Sequence, residues 1–178
     1  EVAVDGLGDQ WLLPNGYLKL HPTARYAHSA IDAWFDAVSR LPTPLVPEDI
    51  ERIDIKAYRL AAFLAKQQPS DWFGTRFSIP FAIATLAVGG RSGLEAFDNE
   101  AVADPRVRAL CSRIHVTEDP DFTHSYPRLQ RVSLKMHLRD GSVIQGECHI
   151  TSGEPDRPID GAALDQKFDE LAQPIWGA

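Results

Sequence analysis

A chain of 178 residues, 44% hydrophobic and 24% charged, suits one globular domain and can bury a core without staples. Its 18 basic residues against 25 acidic ones leave a net charge of −7 and no basic block, which argues against general affinity for nucleic acid or an anionic membrane. The longest apolar runs, such as residues 81–88, are too short to span a bilayer, and no stretch has the form of a signal peptide. Cys111 and Cys148 are too few for a disulfide framework and are expected as reduced, buried thiols in a cytoplasmic protein. The chain begins at Glu1 and its only methionine is Met136, so a segment upstream is expected.

In chain order, Tyr17-Leu18-Lys19-Leu20 predicts a short strand leading into a helix over residues 23–40. Ala27, Ala30, Ile31, Trp34 and Val38 share one side of that helix, and Arg25, His28, Ser29, Asp32 and Asp36 share the other. Pro22 marks its start and Leu41-Pro42-Thr43-Pro44 its end. Ile53 and Ile55 alternate with Arg52, Asp54 and Lys56, the period of a half-buried strand. A short helical stretch over residues 60–66, a loop over 67–71 and an apolar helix over 78–88 follow, with Pro80 in the first turn and Gly89-Gly90 as the stop. Asp104-Pro105 opens a helix to Cys111, and Ile114 and Val116 mark a strand.

Val132, Leu134, Met136 and Leu138 share one strand face, as do Ile144, Gly146, Cys148 and Ile150. A two-residue Asp140-Gly141 turn would mix those faces. A three-residue loop, Arg139-Asp140-Gly141 with Gly141 left-handed, pairs Met136 with Ile144 and Val132 with Cys148 and keeps them. A last helix spans residues 160–173. Together these elements predict an α+β two-layer sandwich: a small mixed or antiparallel sheet, helices packed on one face, one domain over residues 1–178.

Two clusters carry candidate chemistry. Lys19, His21, Arg25 and His28 crowd a helix N-terminus, where free N–H groups and the helix dipole already favour anions, so a carboxylate site is one reading. The competing reading has Lys19 and Arg25 solvated and His28 paired with Asp32. Arg76 and Ser78 enter the 78–88 helix in the same way, against the plain alternative of an N-cap beside a surface arginine. A zinc site from Cys111, His115, Cys148 and His149 is disfavoured, because Cys148 and His149 are adjacent on a strand and point to opposite faces.

The stretch Tyr17-Leu18-Lys19-Leu20-His21-Pro22-Thr23-Ala24-Arg25-Tyr26-Ala27-His28-Ser29-Ala30-Ile31-Asp32-Ala33 resembles the lysine-aromatic-proline, arginine, histidine and "AIDA" signature of the MmgE/PrpD family. Phe77-Ser78-Ile79-Pro80-Phe81-Ala82-Ile83-Ala84 resembles its "FS-φ-PYA" segment. Residues 132–150, then Gly153-Glu154-Pro155, Pro158 and Lys167-Phe168, resemble its closing "DG … GDP … KF" pattern. His21 stands in place of the usual aromatic, Phe81 in place of a tyrosine found in several members, and Glu154 in place of aspartate.

The resemblance implies the smaller C-terminal lid domain of a cytoplasmic, homodimeric enzyme. A large helical domain lies upstream, and the site sits in the cleft between the two. Members include 2-methylcitrate dehydratases, cis-aconitate decarboxylases and iminodisuccinate epimerases, so the expected partner is a small polycarboxylate. The class is a lyase (dehydratase or decarboxylase) or an epimerase, without metal or cofactor. By the same resemblance Lys19 and His28 are the catalytic candidates, and Arg25, Arg76 and Ser78 the substrate-binding ones. The isolated chain is expected to be inactive. The rival reading, from a different class, is a non-catalytic α+β binding or dimerisation module.

Overall fold

The computed structural model describes residues 6–9, 11–90 and 92–177. They divide into two compact units: His21–Thr151, and the described parts of Glu1–Leu20 and Ser152–Ala178.

The larger unit opens with a 3-10 turn, Arg25–Ala27, that runs directly into helix α1, His28–Val38. Strand β1 is Ile50–Ala57 and the single turn α2 is Arg59–Ala62. Helices α3, Trp72–Thr75, and α4, Ile79–Gly89, come next, followed by α5, Asn99–Ala103, and α6, Pro105–Cys111. Strand β2, Ile114–Glu118, helix α7, Pro120–Ser125, and the hairpin β3, Val132–Leu138, with β4, Val143–Cys148, complete it.

The four strands form one mixed sheet in the order β2-β1-β3-β4, with β1 and β2 parallel and the other neighbours antiparallel. The α+β class and the mixed sheet are as the sequence predicts. The alternation in β1 does what a period of two requires: Ile53, Ile55 and Ala57 are buried while Arg52 and Lys56 are exposed. Val132, Leu134 and Met136 of β3 and Cys148 of β4 join them on the core face. Helices α1 and α4 lie on that face, α1 across β3 and β4, and α4 against β2 and α6. Helix α4 is apolar all round and is buried from Ile79 to Leu86, as a helix between two layers must be.

The hairpin has the three-residue loop. Val132 pairs with Cys148 and Met136 with Ile144, and Gly141 sits at φ +86°. Gly90, at φ +67°, ends α4 with its N–H donated to the Leu86 carbonyl.

Several local expectations are corrected. Residues 17–20 form no strand; that segment belongs to the smaller unit. Leu18 N–H donates to the Gly153 carbonyl at 2.8 Å, and the segment joins no ladder among the described residues. Gly153 is required there: at φ +90° an added Cβ would fall 2.2 Å from the Leu18 carbonyl oxygen. The stretch expected as helical over 60–66 closes only the turn α2. The last helix, α8, runs Gly161–Trp176, capped by the Asp160 carboxylate on Ala163 N–H at 2.8 Å. It passes through Pro174, which has no N–H to give the Glu170 carbonyl one turn back and whose ring crowds that carbonyl. Helices α3, α5 and α7 are additional, each N-capped by an aspartate: Asp71, Asp98 and Asp119.

Two contacts place the helices. Gly146 of β4 lies under α1 so closely that a Cβ there would be 2.0 Å from the Ala33 carbonyl oxygen and 2.7 Å from Ala37 N. Ser78, at 0% exposure, caps α4: its hydroxyl accepts from Phe81 N–H at 3.0 Å and donates to the Lys66 carbonyl.

Gly146→Ala should therefore force α1 off the sheet and cost about 1–3 kcal/mol or more, read as a lower urea midpoint. Ser78→Ala removes a cap and strands a carbonyl, and should cost about 1–3 kcal/mol by the same assay. A surface serine would cost within ~0.5 kcal/mol.

Candidate functional site

The two cationic segments seen separately in the sequence are joined in the fold. Ala24 N–H donates to the Arg76 carbonyl at 2.7 Å, so the turn that opens α1 and the turn that precedes α4 are stitched together. Thr23, Arg25 and Arg76 therefore occupy neighbouring backbone positions although more than fifty residues separate them in the chain.

Arg25 and Arg76 are both half-buried. The Arg76 guanidinium lies over the Trp72 ring, 4.9 Å from its centroid, a contact that fixes a cation without neutralising it. Its Nε is buried and, among the described residues, has no hydrogen-bond partner. The same holds for Thr23 Oγ1, in a side chain only 1% exposed. Buried polar atoms without partners are uncommon, because each keeps its desolvation cost; they are what a ligand or ordered water would satisfy.

His28 is buried and its Nε2–H donates to the His21 carbonyl at 3.1 Å. The His21 ring meets the His28 ring edge-on at 5.0 Å between centroids and shares a 2.8 Å hydrogen bond, through Nδ1, with the Ser92 hydroxyl. His28 thus ties the start of α1 to the residue that precedes Pro22. Beside this turn, Tyr58 is 2% exposed, stacked on Tyr126 at 4.8 Å and edge-on to Tyr26 at 6.3 Å. Burial pushes its phenol well above the usual range, opposed by the neighbouring Ser29 hydroxyl and the Arg25 charge, so it stays a neutral hydrogen-bonding group. Tyr58, Tyr126 and Thr23 do not stand out in the sequence as candidates. Tyr58 directly follows β1, and an aromatic residue at the end of a predicted strand is the one signal the chain offers for it.

Ser78, a substrate-binding candidate by resemblance, takes up the N-cap position of α4. Its hydroxyl is committed inside the fold, and the N-terminal groups of α4 are also spent: Ile79 N–H goes to the Leu64 carbonyl, Phe81 N–H to Ser78, and Pro80 has none. The expectation of free N–H groups at the start of α4 is thereby corrected. Phe81 is 2% exposed and packs against Phe97.

Lys19 lies in the smaller unit. It is exposed and, among the described residues, no side chain or carbonyl holds its ammonium. In that unit the neighbouring backbone is anchored by Lys167, whose ammonium donates to the Leu20 carbonyl at 2.7 Å.

Of the imagined zinc ligands, Cys148, the last residue of β4, is buried, and His149, in the bend that follows, is exposed. Burial raises the Cys111 thiol to about 12, and it donates to the Gln67 carbonyl. Among the described residues, no group of three His, Cys, Asp or Glu side chains is set to hold a metal ion. An open depression of about 580 Å³, lined by Arg59, Glu118, Pro120, Thr123 and His124, offers little chemistry. Its polar groups are spent on one another, with Arg59 Nε 3.1 Å and Thr123 Oγ1 2.8 Å from the Glu118 carboxylate. No helix among the described residues is long and apolar enough to cross a membrane.

Comparison with known proteins agrees with the sequence signature. The family described as MmgE/PrpD C-terminal domain matches residues 21–178, so the matched region contains Arg25, His28, Arg76 and Ser78 and begins two residues after Lys19. No curated protein matches the chain. A match over most of the chain settles membership: the chain belongs to the MmgE/PrpD family, with residues 21–178 matching its C-terminal domain.

Proposed function

We propose that this chain is the lid-type domain of a cytoplasmic, homodimeric enzyme that abstracts a proton next to a carboxylate in a small polycarboxylate. Loss of water or CO₂, or reprotonation, completes the reaction. Family membership supports the class. The observation that carries the reading to particular residues is the Ala24–Arg76 backbone bond, which sets two half-buried guanidiniums and two orphaned polar atoms around one turn.

In this reading Arg25 and Arg76 anchor substrate carboxylates. Guanidinium suits that role because it is always charged and presents a planar fork of donors that matches a carboxylate. The stack on Trp72 holds Arg76 ready, so less side-chain freedom is lost on binding. His28, whose Nε2–H is engaged with the His21 carbonyl, contributes by holding the turn that carries Arg25. Ser78 contributes by capping α4 and so fixing the backbone of Arg76. Lys19 has the exposed ammonium that a carboxylate contact and a proton transfer both require. An upstream helical domain of the same protein supplies the remaining acid/base groups, and residues 1–178 act as a single lid.

The test is kinetic. In the full-length enzyme Lys19→Ala should lower kcat/KM on the best of 2-methylcitrate, cis-aconitate and iminodisuccinate by at least ten-fold, with Tm nearly unchanged. Arg76→Gln should lower it by about ten- to 150-fold, the cost of one charge-assisted contact at a desolvated site. Near-wild-type rates in both variants would instead favour a non-catalytic binding or dimerisation module. Residues 1–178 alone should fold yet show no turnover of the three substrates; measurable turnover would overturn the division of labour between the two domains.

A further inference from the structure

An open four-stranded sheet has two edges, here β2 and β4, each presenting a row of backbone groups to whatever approaches. In β4 the inward groups are those of Ile144, Gly146 and Cys148, which pair with Met136, Leu134 and Val132 across the hairpin. Leu138 N–H donating to the Ser142 carbonyl sets that alternation. The groups of Gln145 and Glu147 therefore point outward.

Two of these outward groups, a carbonyl and an N–H at the centre of the edge, are occupied by side chains of α1 and the turn that ends it. Asp36 accepts from Glu147 N–H at 2.9 Å, and Arg40 donates to the Gln145 carbonyl at 3.0 Å. The two side chains are locked to each other, the Arg40 guanidinium lying 2.7 Å from both oxygens of the Asp36 carboxylate. A carbonyl at one position and an N–H two residues on are the pair of groups that a single residue of an added parallel strand would take. The Asp36–Arg40 unit offers the same donor and acceptor at the same spacing. It reaches the edge because Gly146 lets the α1 backbone rest on β4.

The opposite edge carries a lesser version. Ile53 N–H donates to the Arg113 carbonyl on the inner side, which turns the Ile114 carbonyl outward. There the Gln67 side-chain amide donates to it at 2.8 Å.

We propose that Asp36 and Arg40 act as a side-chain substitute for a fifth strand, closing the β4 edge of the sheet against strand addition by a second copy of this chain. An isolated surface ion pair contributes little to stability; two bonds to an otherwise open strand edge decide what else can pair there.

The test uses residues 1–178 with Asp36→Ala/Arg40→Ala, which leaves the net charge unchanged. Hydrogen exchange at the Glu147 amide should accelerate about ten-fold, as one lost hydrogen bond implies. In sedimentation velocity the weight-average mass should rise with concentration above that of the wild type. Arg52→Ala/Asp54→Ala breaks a comparable 3.0 Å pair on the open sheet face and should leave the mass as in the wild type. Asp36→Asn, which keeps an acceptor, should behave as the wild type in both assays. If the double variant does not fold, Arg40→Ala alone, beyond the end of α1, should shift both readouts in the same direction. Unchanged exchange and mass would overturn the proposal. So would faster exchange without association, or equal association in the Arg52/Asp54 control.

Discussion

The larger unit depends on one close approach, the α1 backbone laid against β4 at Gly146 with no side chain between them. The face of α1 turned to the sheet is correspondingly small: Ala27, Ala30, Ala33 and Ala37 are all fully buried, with Ile31 and Trp34 filling the space to either side. Interiors are packed to crystal-like density, so a helix seated this way has little freedom to slide or roll. The alanines of the "AIDA" signature are thus a packing device as much as a family marker, and β4 answers them with the glycine that fits.

Both ends of α1 inherit their positions from that seat. At its start, the turn bearing Arg25 and His28 is held against the Arg76 turn by the Ala24 bond, and Arg76 in turn depends on α4 beginning at Ser78. At its end, Asp36 and Arg40 reach over the sheet edge. The same helix thereby presents cations at one end and satisfies a strand edge at the other. The site end is the less satisfied of the two. Among the described residues Thr23 Oγ1 and Arg76 Nε have no hydrogen-bond partner, while the Ser78 hydroxyl both accepts and donates. Native cores rarely leave such atoms unmatched, and where local rules are broken a binding function is the common reason.

Much of this was legible in the chain. Strand β1, helix α4 with its glycine stop, helix α6 and the hairpin register follow from periodicity and turn chemistry, because burial on one face allows one alternation and a left-handed loop position demands glycine. The family likewise follows from local segments, read without their spatial relation. Helices α3, α5 and α7 escaped because they are too short to show a period, although Asp119-Pro120 repeats the Asp104-Pro105 signal that opens α6. Residues 17–20 alternate like a strand yet form none, since pattern states which face could be buried and says nothing of whether a partner strand lies beside it.

The sequence by itself thus determined the longer elements (β1, α4, α6), their buried faces, the hairpin register and the family, all of which rest on neighbours a few residues apart. Only the tertiary structure decided which residues meet. It joined the Arg25 and Arg76 turns, committed the Ser78 hydroxyl to the α4 cap, surrounded Tyr58 with Tyr26 and Tyr126, and brought Asp36 and Arg40 to the edge of β4. The physical reason is that such contacts are set by the packing of helices on a sheet, where a single glycine can decide the distance, and no local period encodes that distance.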